Sequence, residues 1–203
     1  MRPSILRKWL VPAFAALFSH GGLAASAPEK KITLHLDPAK TEIRFTLSDV
    51  LHTVHGTFAM KSGTIAYDPA TGHAEGQVVV ELDSGNSGSP TRDRLMKENI
   101  LETATYPEAI FRPQTVSAAP QPGADQQITV DGVFTIHGKD HPLRLVMRVR
   151  MSSPDRLTAT TEFGVPYVAW GMKDPSTFVL RVEKQVTIDV TAEGTADSSS
   201  VTP

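Results

Sequence analysis

The chain has 203 residues, 40% hydrophobic and 21% charged, with 20 Lys and Arg against 22 Asp and Glu and no Cys. These figures fit a soluble globular protein of one or at most two domains. The missing thiols exclude disulfides, thiol catalysis, cysteine-ligated metals and a lipid anchor on cysteine, and a net charge of −2 points to no obvious partner.

The first 24 residues read as an export signal. Arg2, Arg7 and Lys8 form a basic start, Trp9 to Phe18 an apolar run, and Gly22-Leu23-Ala24 a small-residue cleavage site. Pro12 and Ser19-His20 hold the apolar run well short of the ~20 residues of a membrane span. Removing three bases leaves 17 against 22 acids, so the mature chain is near −5, which argues against nucleic acid as a partner, and a periplasmic location without a transmembrane span is expected. The 179 residues that remain suffice to bury a core without disulfides.

From Ile32 onward, short alternating runs are separated by turn signals, as in an all-β sandwich or barrel. Ile32-Leu34-Leu36 precedes the Asp37-Pro38 break; Ile43-Phe45-Leu47, Val54-Gly56-Phe58 and Ile65-Tyr67 follow, the last stopping at Asp68-Pro69-Ala70-Thr71-Gly72. Val78-Val80-Leu82 leads into Ser84 to Pro113, the one stretch where alternation stops. It passes through helix formers around Asp93 to Asn99, with Ser89 or Thr91 as the expected N-cap, before Ile110-Phe111 resumes a strand. A connection this long in a compact domain is usually functional.

Ile128 to Ile136 is a long strand turning at His137-Gly138-Lys139-Asp140. Leu143-Leu145-Met147-Val149-Met151 has a clean two-residue period, with Arg144, Arg148 and Arg150 on the other face. Leu157 to Thr161, Phe178-Leu180-Val182 and Val186-Ile188-Val190 complete the sheet, and the small, polar Thr195 to Pro203 is expected to be a disordered tail. About eight antiparallel strands need a sandwich or a closed barrel to protect their edges. An outer-membrane barrel is disfavoured by the three arginines.

Leu36-Asp37-Pro38, Val54-His55-Gly56-Thr57-Phe58, Ser62-Gly63-Thr64-Ile65 to Asp68-Pro69, Thr91-Arg92-Asp93 to Leu95, Tyr106-Pro107 to Phe111 and Phe134-Thr135-Ile136-His137-Gly138 occur in an order and spacing that resemble the YceI-like, polyisoprenoid-binding family of exported proteins. The likeness runs from about Ile32 to Gly194. It implies an extended, antiparallel, eight-stranded lipocalin-like β-barrel with a short helical lid, and non-enzymatic binding, transport or storage of an isoprenoid or similar long apolar lipid in its tunnel. Two departures stand out. The family's Arg-Asp-x-His-Leu is Arg92-Asp93-Arg94-Leu95-Met96 here, without the His, and its Arg-x-Asp-Phe-Gly strand is Tyr167-Val168-Ala169-Trp170-Gly171-Met172, without either charge.

The expected ligand contacts are Phe45, Leu47, Val54, Phe58, Val78, Val80, Phe111, Val133, Leu145, Met147, Trp170, Phe178 and Leu180, each of which would leave water equally well by packing a core. Arg92, Asp93 and Arg94 are the candidates for an acidic head group at the lid, or alternatively surface charges of a short helix. No metal or cofactor is expected. His52 and His55 point to opposite faces of a strand, and His137 with His141 flanks a turn without a third ligand. Ser62, His55 and Asp68 form a triad on paper only, with no nucleophile elbow. Two other classes stay open: an enzyme using His137, His141 or the Arg92 cluster, and a ligand-free structural or stress-related protein. Pairing of two chains into a homodimer is also open.

Overall fold

Alternation of inward apolar and outward polar residues arranges nine antiparallel strands into one sheet that closes on itself in the computed structural model, which describes residues 29–49, 52–177 and 181–201. The expected export signal, Phe178 and Leu180 lie outside the described residues. The strands are β1 (Glu29–Leu36), β2 (Glu42–Ser48), β3 (Thr53–Tyr67), β4 (Ala74–Asn86), β5 (Glu108–Val116), β6 (Asp125–Ile136), β7 (Lys139–Ser153), β8 (Arg156–Val165) and β9 (Val186–Val201), and one helix, α1 (Pro90–Leu95), follows β4.

Nine strands make eight staves. β2 pairs with the first halves of β3 and β9, Ile43 lying opposite Phe58 and Val190. β1 pairs with their second halves, Leu34 lying opposite Ile65 and Ala196. β1 and β2 are therefore one stave, interrupted where Pro38 removes a backbone donor and Asp37 turns its carboxylate onto the Ala39 N–H at 3.0 Å. Pairing of β3 with β4 closes the ring into an eight-stave antiparallel barrel, so no long sheet edge is left.

Three expectations change. Val54-Phe58 and Ile65-Tyr67 belong to a single strand, β3, whose two register shifts against β4 bend it around the barrel. Among the described residues around Val182 there is no strand, and Val182 makes an isolated bridge to Asp49. Thr195 to Val201 is strand rather than disordered tail: β9 runs to Val201, opposite Glu29, because β1 otherwise presents an unpaired edge there.

Local turn chemistry behaves as the residues dictate. Asp68 accepts from the Ala70 N–H at 2.8 Å and the Thr71 hydroxyl at 2.7 Å, and Gly72 takes φ 74°. His137 and Gly138 form the two-residue β6–β7 turn with φ 51° and 70°, the double positive φ of a type I′ hairpin. On the wet face, Arg144 pairs with Asp131 and Arg150 with Asp125 as direct cross-strand neighbours. Exposed pairs of this kind add little to stability, because solvent and salt screen them.

The α1 connection, the β6–β7 turn and the β8–β9 connection share one end of the barrel, hereafter the lid end. The β3–β4, β5–β6 and β7–β8 connections close the other. Buried residues form two clusters: one at the lid end around Leu82, Leu101, Phe134, Tyr167 and Met172, the other around Ile128, Leu145, Val149 and Leu157.

Candidate functional site

With the odd or even residues of every stave turned inward, the barrel encloses a cavity of about 1010 Å³, at the upper end of the usual range for ligand pockets. Its walls are mostly aliphatic and aromatic. The charged side chains among the described lining residues are Asp49, Arg92, Lys173 and Asp174, and all four belong to the lid end.

Phe45, Leu47, Val54, Phe58, Val78, Val80, Phe111, Leu145 and Met147 line this cavity. Val133 does not. On β6 the inward face belongs to Ile128, Val130, Gly132, Phe134 and Ile136, and Val133 sits among Thr129, Asp131 and Thr135 on the other parity. The polar neighbours two residues away were the signal that places it outside.

Trp170 also stays off the cavity. The turn after β8, closed by Trp170 N–H to Pro166 O at 3.0 Å and Met172 N–H to Tyr167 O at 3.0 Å, sends Tyr167 and Met172 inward and Trp170 sideways. Its indole stacks on His141, centroids 4.0 Å apart at 8°, with Phe134 at 6.0 Å. Tyr167 donates to the Glu183 carbonyl at 2.8 Å, and burial, helped by Asp174, pushes its phenol up to about 12. It remains a neutral anchor for that turn at physiological pH. Residues not anticipated as lining include Met60, Tyr67, Ala159, Phe163, Ala192 and, from the lid, Met96 and Ile100; for the strand residues, parity extended along each stave would have found them.

The lid is α1 continued by a π-helical turn, Met96–Leu101. Leu101 is buried in the lid-end cluster, and Met96 and Ile100 pack against it. Its start is held by the side chain of Asp93 rather than by a Ser89 or Thr91 hydroxyl. Ser89 is the N-cap residue but makes no side-chain cap, whereas Asp93 accepts from the Ser87 N–H at 2.8 Å and from the Ser87 hydroxyl. Arg92 donates to Ser87 Oγ at 2.8 Å and to the Ser87 carbonyl at 2.9 Å.

Of the three lid charges, only Arg92 lines the mouth. Consecutive helical residues point ~100° apart, so Asp93 turns to Ser87, and Arg94 pairs with Glu98 at 2.7 Å. Leu95, standing where the resemblance expects His, lines the mouth and is 45% exposed. The far end of the lid is fastened by Glu102 to His137 Nε2 at 2.7 Å, with the Tyr106 ring 4.4 Å from the imidazole.

Hydrogen bonding from the Ser87 hydroxyl holds the Asp93 carboxyl below its ordinary value, burial opposing and the Ser87 N–H, Arg92 and Lys97 adding to the effect. A lowered carboxylate stabilises the lid start above the ordinary pKa and loses that contribution as pH falls through the lowered value. The Ser87 amide resonance is therefore expected to stay constant from neutral pH down to about 4 and to move only below it. A midpoint at higher pH would contradict this anchoring.

The histidines do not assemble. His55 contacts Thr46 at 3.0 Å, His52 sits in a turn with Asp49, His137 is on Glu102 and His141 on Trp170. Asp68 and His55 lie at opposite ends of β3, which separates the paper triad. Among the described residues no group of three or more His, Asp or Glu comes together to hold a metal ion.

The YceI-like domain model matches residues 34–194, most of the chain and nearly the whole barrel. The chain belongs to the YceI-like domain family. No curated protein matches. Solved YceI-like and related barrels do. A polyisoprenoid binding domain from Saccharophagus degradans implicated in plant cell wall breakdown is 20% identical, with TM-score 0.62, covering 81% of this chain and 98% of its own. Burkholderia cenocepacia BcnA is 18% identical with TM-score 0.61, covering 78% and 98%. The Campylobacter jejuni YceI protein is 12% identical with TM-score 0.52, covering 94% and 98%. At such identities the structures establish a common YceI-like fold.

Proposed function

We propose that this YceI-like protein is a non-enzymatic periplasmic carrier or store for a long apolar lipid, of isoprenoid or similar type, held in the barrel with any acidic head group at Arg92. The observation that carries the reading is the apolar cavity of about 1010 Å³ with its charged residues gathered at one end. Family membership and the polyisoprenoid-binding neighbour support a binding role for the barrel. Each five-carbon unit transferred from water into such walls contributes ~2–4 kcal/mol, so a few units hold the lipid without polar contacts.

Native mass spectrometry of the gently purified protein tests this: a discrete lipid adduct is expected, and a chain that never carries one, even when offered isoprenoid lipids, contradicts it. Head-group contact has its own test. Arg92→Gln should weaken binding of an anionic lipid roughly tenfold and leave an uncharged lipid of the same chain unaffected; equal weakening of both would remove Arg92 from that role.

A further inference from the structure

We propose that Tyr67 is a second polar contact of the cavity, at the end away from the lid, which takes an uncharged oxygen at the far terminus of the bound chain. This rests on the carrier reading and specifies the chain-end chemistry it selects.

Tyr67 is the last residue of β3 before the Asp68 turn. It lines the cavity and is 4% exposed. Its cross-strand neighbours on the same face, Ile32 and Ala74, offer no side-chain hydrogen bond. Among the described residues the Tyr67 hydroxyl has no hydrogen-bond partner. Two further hydroxyls on the wall are satisfied within the protein: Tyr167 donates to Glu183 O, and Thr161 to Val146 O at 3.0 Å. The buried side-chain atom left without a partner among the described residues is His141 Nε2, so the Tyr67 hydroxyl is not sealed in but opens onto the cavity, where a ligand oxygen can replace water.

Burial raises the Tyr67 pKa, so the group stays protonated and offers both a donor and an acceptor. The oxygen it meets is uncharged, because the charged lining residues Asp49, Arg92, Lys173 and Asp174 are all at the lid end. An ionised group beside Tyr67 would be buried without a counter-charge. A hydroxyl or carbonyl on the leading end of an apolar chain satisfies both constraints. The preferred ligand is then polar at its two ends and apolar between them.

Saturated fatty acids and their ω-hydroxy counterparts, matched over a series of chain lengths, provide the probes, with affinity read by calorimetric titration of the purified full chain. At one length the ω-hydroxy acid should bind roughly fivefold to tenfold tighter than the plain acid. Tyr67→Phe should bring that ratio to parity or below while keeping the affinity for the plain acid. The variant loses only an unpartnered hydroxyl, so its Tm should equal or exceed the parent's. An advantage that survives in Tyr67→Phe, no advantage at any length, or a clear fall in Tm overturns the assignment at Tyr67 alone. If neither series binds, the assignment at Tyr67 falls, while the carrier reading is decided separately by the isoprenoid lipids offered in native mass spectrometry.

Discussion

Ala159→Trp should abolish lipid retention while leaving the barrel folded. Ala159 and Ala192 face each other across β8 and β9, both line the cavity, and they are 6% and 4% exposed. Two methyl groups side by side leave space that larger residues fill elsewhere on the wall. An indole placed there enters the cavity rather than a packed layer, so the overpacking penalty of a close-packed core is largely avoided. It displaces several ligand carbons, each worth about 0.8 kcal/mol per CH₂, and excluding four of them lowers affinity by roughly 100-fold. Far-UV circular dichroism should remain that of the parent. An Ala159→Trp protein that carries its normal lipid load would mean that the lipid sits outside the barrel.

Gly76→Ala should be the most destabilising small substitution in the sheet. Gly76 pairs with Ile65 on the β3–β4 seam and takes φ 108°, a region that L side chains rarely adopt. A Cβ there would press into the Thr64 carbonyl oxygen and stand 3.1 Å from Ile65 Cα, both backbone atoms of the partner strand. Neither can give way without breaking the pairing, so a loss of about 3 kcal/mol or more is expected from strain and overpacking together. Gly88 supplies the control. Its φ is 79° but nothing lies within 4 Å of a Cβ, so Gly88→Ala should cost only the conformational part, about 1 kcal/mol. Denaturant titration of the two variants separates the terms; equal losses would mean that the seam yields.

Much of this architecture is written in local pattern. Leu143 to Met151 alternates cleanly because one face of β7 meets the cavity and the other meets water, and that face was readable without a fold. Asp68 to Gly72 and His137-Gly138 announce their turns through residues that favour those dihedral angles. Val133 misleads because an isolated apolar residue on the outer face of β6 resembles its inward neighbours in hydrophobicity and differs only in parity. Trp170 misleads for another reason: its direction is set by hydrogen bonds of the Pro166–Met172 turn, which no periodicity encodes.

Pairing at a distance was the least legible. The continuation of β9 to Val201 depends on β1 needing a partner about 170 residues earlier in the chain, and small polar residues in the strand give no hint of it. The same holds for Asp93. Its carboxylate could be foreseen on a lid, but the choice of Ser87 over solvent follows from how β4 ends beneath α1. Tyr67 was recognised as part of a strand, while its unpartnered hydroxyl emerges only when every neighbour on the wall is known.

A density map of the protein crystallised without added lipid or detergent tests the central claim most directly. Continuous, elongated density running along the barrel axis, from the Arg92 mouth toward Tyr67 and bounded by Phe111, Leu145 and Met147, is the expected result. An interior filled by the protein's own side chains, with no space between those walls, would contradict it.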